Sequence, residues 1–159
     1  MDHVVGMGEY ILSDGKEDTI RTFALASCVA VTAYCPGRRA AGMIHIVLPF
    51  PLDRKAAMER PAYFAQTGVP LMITSICRRY DCRKEELLIQ MYGGADSGSS
   101  CDIYRIGLKN VEAVKAVLQD MGLRIQKEEL YGNESRTLAM DVSTGAVQIF
   151  CQPIMTAGR

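Results

Sequence analysis

Cys28, inside TFALASCVAVTAY (22–34), and His45, inside GMIHIVLPF (42–50), have the side chains of a nucleophile and its base. A thiol attacks as thiolate, and a nearby imidazole both takes its proton and stabilises the anion. Such a pair suits acyl transfer, with the imidazole returning the proton to the leaving group. Taken alone, a cysteine in an apolar strand is more often a small core hydrophobe. His45 is harder to read as packing, because a ring buried among Ile44, Ile46 and Val47 needs hydrogen-bond partners. Core packing and a reactive pair both remain open at this level. His3 is the rival base and reads as surface, near a terminus where order is least assured. Cys35 is a rival nucleophile without an evident partner, beside Pro36 at a turn. Cys101 lies in a glycine-rich loop, exposed enough to react.

Positioning this pair requires strands. The run from Phe23 to Tyr34 is rich in small and β-branched apolar residues, stops at Pro36-Gly37, and resumes as AAGMIHIVLP (40–49). That pattern predicts two buried strands joined by a turn at Pro36-Gly37-Arg38-Arg39, a hairpin that brings Cys28 near His45. The stretch 50–68 reads as a long surface connection. A first helix follows, with Met72, Ile73, Ile76, Cys77 and Tyr80 on one face; it starts at Pro70, or near Ala62 with a kink at 68–70. The basic cluster CRRYDCRK (77–84) falls at its end, where cations favour the helix dipole. ELLIQMY (86–92) is a strand stopped by Gly93-Gly94, which permits close backbone approach beside the sheet. The glycine- and serine-rich loop GGADSGSSCDIYRIG (93–107) follows. Asn110 is read as the cap of a second helix with Val111, Val114, Val117, Leu118 and Met121 as its stripe and Gly122 at C′. RIQKEEL (124–130), TLAMDV (137–142) and AVQIFC (146–151) are strands, the last two joined by Ser143-Thr144-Gly145. The order predicts a mixed α/β fold with two main helices covering a sheet. The 159 residues suit a single domain, 1–159.

Composition narrows the function classes. With 48% hydrophobic and 23% charged residues, the chain has enough apolar material for a core. Lysine plus arginine matches aspartate plus glutamate at 18 each, and no basic stripe appears, so nucleic acid is not an expected partner. The six cysteines form no CxxC pair and only two histidines are present, so neither a metal nor reduced-thiol zinc chemistry is expected. GGADSGSS lacks the lysine and spacing of a P-loop and does not match GxGxxG, so no nucleotide cofactor is expected. The N-terminus carries an acid at position 2 and no basic or sustained apolar region, unlike a signal peptide. The longest apolar run, Phe23–Cys35, contains Ser27 and Thr32 and falls short of the ~20 residues that span a bilayer. A cytoplasmic protein without membrane insertion and with reduced thiols is expected.

Beyond these elements, GMGEY (6–10), TFALASCVAVTAY, GMIHIVLP, YGGA (92–95), IGLKNVEAVKAVL (106–118), GNESR (132–136) and DVSTG (141–145) resemble, in order, the landmarks of the CheD family of chemoreceptor glutamine deamidases. The resemblance implies a layered α/β sandwich similar to the catalytic domains of deamidating bacterial toxins. It implies a cysteine hydrolase that converts receptor glutamine to glutamate without a cofactor, with Cys28 as nucleophile, His45 as base and Thr22 as the third member. Chemoreceptor cytoplasmic domains would be the substrate and a CheC-like phosphatase a partner. The alternatives are a non-catalytic adaptation module binding receptor or CheC, and a redox-sensing cysteine protein. Ala26 stands where the family commonly has glycine, Lys109 where arginine is usual, and the loop DSGSSCD (96–102) is more polar than the family pattern.

Overall fold

A computed structural model describes residues 1–96 and 104–154 of the chain. The strands are β1 (Asp2–Val4), β2 (Tyr10–Ser13), β3 (Thr19–Leu25), β4 (Val29–Cys35), β5 (Ala40–Ile46), β6 (Leu88–Gly93), β7 (Ile125–Leu130), β8 (Glu134–Asp141) and β9 (Val147–Pro153). The helices are α1 (Arg54–Glu59), α2 (Ala65–Tyr80) and α3 (Ile106–Asp120). A five-stranded sheet has the order β2-β5-β4-β6-β7 and a four-stranded sheet the order β1-β3-β8-β9. Parallel pairing occurs between β6 and β7 and between β1 and β3, so both sheets are mixed.

Strands β4 and β5, VAVTAYC and AAGMIHI, are buried at every position. Continuous burial means that both faces of this hairpin are covered. Residues Val29, Val31, Ala33, Ile44 and Ile46 pack against Val69, Met72, Ile73 and Ile76 of α2 and Val111, Val114 and Leu118 of α3. The alternate residues Ala30, Tyr34, Ala41 and Met43 meet Ile20, Leu25, Leu138 and Met140 of the four-stranded sheet. The result is the expected α/β layered sandwich, with helices on one side of the central sheet and the second sheet on the other. The hairpin also forms as expected, in a register that pairs Val29 with Ile46, Ala30 with His45 and Cys35 with Ala40.

Several boundaries differ from the sequence reading. The run Phe23–Tyr34 is two strands, because the chain leaves the four-stranded sheet after Leu25 and enters the central sheet at Val29. The connection 50–68 contains α1, whose first turn is capped by the Asp53 carboxylate accepting from the Ala56 N–H at 2.8 Å. Helix α2 starts at Ala65 and runs through Pro70 to Asp81, where a left-handed residue ends it. Helix α3 starts upstream of Asn110, which lies inside the helix and is buried rather than capping it. Its other end matches the expectation: Gly122 is left-handed (φ +72) and the Leu123 N–H reaches the Leu118 carbonyl at 2.9 Å. Strands β1 and β2 went unpredicted. The loop residues 97–103, with Cys101, lie outside the described residues. No described helix is long and apolar enough to cross a membrane.

Ile44 is fully buried between β4 and the helices, so Ile44→Ala leaves a cavity. It is expected to lower unfolding free energy by about 2–5 kcal/mol in urea titrations, with the slope unchanged.

Candidate active site

The alternation that buries Ile44 and Ile46 toward the helices turns His45 toward the four-stranded sheet. Thr22, on β3, faces it from that sheet and is fully buried. The Thr22 Oγ1 lies 2.8 Å from the Val5 carbonyl oxygen and 2.7 Å from His45 Nδ1. A hydroxyl has one proton, and a carbonyl can only accept it. Thr22 therefore donates to Val5 and accepts from His45, which places the imidazole proton on Nδ1 and leaves Nε2 with its lone pair. His45 Nε2 is buried and has no hydrogen-bond partner among the described residues. The backbone around the histidine is pinned from the other side, with Gly8 N–H donating to its carbonyl at 2.9 Å and its own N–H donating to Glu9 at 3.0 Å.

Cys28 is the last residue of the three-residue bend that carries the chain from β3 to β4. It packs on the same side of the central sheet as Ala30, the cross-strand partner of His45. Cys28 thus precedes the β4–β5 ladder by one residue and His45's cross-strand partner by two, on the face toward which His45 turns. No hydrogen bond joins them in this structure. Burial pushes the Cys28 thiol up to about 11 and the His45 imidazole down to about 4. At neutral pH the two are a neutral thiol and a neutral imidazole.

The bend is held by its carbonyls. The Ala26 carbonyl accepts from the Ala95 N–H at 2.7 Å, and the Cys28 carbonyl from the Gly94 N–H at 2.8 Å. The Ser27 carbonyl accepts from Asn110 Nδ2 at 2.9 Å, and the same nitrogen donates to the Val47 carbonyl at 3.0 Å. Gly93 has φ +110, and a Cβ there would stand 2.3 Å from the Cys28 oxygen, so only glycine lets β6 approach this closely. Ala26 does not have a positive φ, so its methyl adds no backbone strain at the first position of the bend.

The structure thus joins Thr22 to His45 directly and sets Cys28 on the same side of the central sheet. His3 is instead bonded to Asp18 at 2.9 Å, and Cys35 is buried seven residues along β4 with its thiol directed at Glu86 Oε2, 3.8 Å away. Asn110 is the residue that sequence reasoning misassigned. The available signal was its spacing: 110, 114 and 118 fall on one helical face, so the asparagine interrupts the buried stripe of Val114 and Leu118.

The unfolded chain protonates His45 near the ordinary value of 6.5, whereas the native site resists protonation until about 4. Between those values the unfolded state binds more protons, so stability falls as pH drops through that window, by roughly 3 kcal/mol in all. Urea unfolding at pH 7 and pH 4 is expected to show this loss in the wild type and a smaller one in His45→Gln. Thr22→Val removes the acceptor of the Nδ1 proton. It is expected to cost about 1–3 kcal/mol and to mix the tautomers in ¹⁵N spectra of the ring.

Residues 47–150 match the family described as CheD chemotactic sensory transduction. A protein of Syntrophotalea carbinolica named probable chemoreceptor glutamine deamidase CheD is 38% identical over 94% of this chain and 94% of its own. One of Desulforamulus reducens with the same name is 38% identical, covering 91% of this chain and 87% of its own. Another of Syntrophus aciditrophicus, named probable chemoreceptor glutamine deamidase CheD 1, is 31% identical over 92% and 91%. With this coverage from end to end, the chain belongs to the CheD family.

Proposed function

We propose that this protein is a chemoreceptor glutamine deamidase, acting through residues 1–159 as one catalytic domain in the cytoplasm, with Cys28, His45 and Thr22 as its reacting and orienting groups. The observation that carries the reading is the Thr22–His45 hydrogen bond, which leaves an unpartnered Nε2 lone pair on the face that holds Cys28. A neutral base in that tautomer is what a neutral thiol needs to become a nucleophile. The names of the relatives supply the substrate class.

As the Cys28 sulfur bonds to the side-chain carboxamide carbon, its proton passes to His45 Nε2. The tetrahedral intermediate collapses when Nε2 returns that proton to nitrogen, and ammonia leaves a thioester on Cys28. Water then attacks the thioester carbon, giving its proton to Nε2, and the sulfur departs and recovers the proton. The balance is glutamine plus water to glutamate plus ammonia. Thr22 accepts the Nδ1 proton throughout, so the ring keeps one orientation in both protonation states. Because this acceptor is a neutral hydroxyl, the imidazolium gains little stabilisation and gives up its proton readily. The substrates are glutamines on chemoreceptor cytoplasmic helices, and a CheC-like phosphatase is a binding partner.

The test is incubation of purified protein with a receptor cytoplasmic fragment, followed by peptide mass spectrometry for amide-to-acid conversion. The wild type is expected to convert specific glutamines, Cys28→Ala none, and His45→Gln to turn over about 10²–10⁴-fold more slowly. A wild type that binds the fragment and converts nothing would sink the hydrolase reading in favour of a binding module. Conversion by Cys28→Ala at the wild-type rate would show that the nucleophile lies elsewhere.

A further inference from the structure

We infer that Asn110 is a positioning residue for the reaction: by holding the Ser27 carbonyl it turns the Cys28 N–H toward the carboxamide oxygen that becomes negative during attack. The inference rests on the deamidase reading above and adds to it the group that organises charge stabilisation.

Asn110 is wholly buried inside α3, on the stripe it shares with Val114 and Leu118. Its two Nδ2 protons go to carbonyls 83 and 63 positions away in sequence, Ser27 and Val47. Because both partners are acceptors, the amide cannot be turned the other way. Its Oδ1 is buried without a hydrogen-bond partner among the described residues, a cost that leucine at the same place would not incur. Asparagine is also a poorer helix former than leucine. A residue that weakens its own helix and leaves an acceptor unpaired is best accounted for by what its donor end does.

That donor end fixes one peptide plane. In a planar trans peptide the C=O and the following N–H point in opposite directions, and no cis bond occurs among the described residues. The Ser27 carbonyl points to α3, on the helix side of the central sheet. The Cys28 N–H must then point away from α3, toward the face where His45 and the Cys28 side chain lie. This N–H makes no hydrogen bond among the described residues, whereas the carbonyls of Ala26, Ser27 and Cys28 are all engaged. An unpaired amide on the nucleophile's own residue, facing the reacting carbon, is the geometry that stabilises an oxyanion.

The experiment compares wild type, Asn110→Leu, Asn110→Ala and Leu118→Ala, the last removing buried packing from the same helix without touching the bend. Two Asn110 variants are used so that one remains readable if the other does not fold. Kinetics on the receptor fragment are expected to show kcat lowered about 10²-fold in the Asn110 variants with KM within about threefold of wild type. Leu118→Ala, though less heat-stable, is expected to keep wild-type kcat below its melting temperature. In parallel, ¹⁵N-cysteine labelling gives a Cys28 amide signal, identified by its absence in Cys28→Ala. It is expected to shift in the Asn110 variants while that of Cys151 stays in place. A folded Asn110 variant with kcat within threefold of wild type overturns the inference, as does equal loss of kcat in Leu118→Ala or an unmoved Cys28 signal. Should the wild type convert no glutamine, the deamidase reading alone fails, and the Cys28 signal still decides whether Asn110 sets that amide.

Discussion

The hydroxyl of Thr22 has one proton, and the site is arranged around where that proton goes. Given to the Val5 carbonyl, it makes the oxygen an acceptor for His45 Nδ1 and so determines which imidazole nitrogen can act as base. The constraint reaches beyond the two side chains. Val5 follows β1, Thr22 belongs to β3 and His45 to β5, so the two hydrogen bonds of one hydroxyl tie the two stacked sheets together. Packing of Ile20, Leu25, Leu138 and Met140 against Ala41 and Met43 therefore holds Thr22 against His45.

Cys28 is constrained differently, through backbone rather than side chain. Between Leu25 and Val29 the chain changes sheets in three residues, and each of their carbonyls is tied to a different anchor: Ala95, Asn110 and Gly94. The approach of β6 needs glycine at 93, and the approach of α3 needs glycine at 107, where a Cβ would come within 2.2 Å of the Ala95 oxygen. A bend secured by its acceptors leaves its donors and its thiol for other purposes. Burial holds the Cys28 thiol and the His45 imidazole in their neutral forms at neutral pH.

Much of the frame was readable from local rules. The Pro36-Gly37 turn between two apolar runs announces the β4–β5 hairpin, and Gly122 after a periodic stripe announces the end of α3. What stayed hidden depended on tertiary context. The apolar run 23–34 carries no turn signal at Ala26–Cys28, and hydrophobicity does not say which sheet a residue enters. The bulge before that bend puts Ala24 at φ +55, a conformation that alanine composition does not advertise. Strands β1 and β2 are short and partly exposed, held by partners far along the chain rather than by their own propensity. Cys28 and His45 stood out chemically, but Thr22 came only from the family resemblance, since threonine is common at strand starts. Asparagine favours helix caps, so the residue type at 110 points to a cap, and only the packing of α3 shows it facing inward.

The change of sheets at residues 26–28 also has a bearing on biosynthesis. Strand β3 is flanked in its sheet by β8, which is followed by β9, and these two are the last strands of the described chain. Until they emerge from the ribosome, β3 lacks its main neighbour and Thr22 has no fixed position opposite His45. A nascent chain thus carries Cys28 and His45 long before β8 is there to hold Thr22 opposite the imidazole.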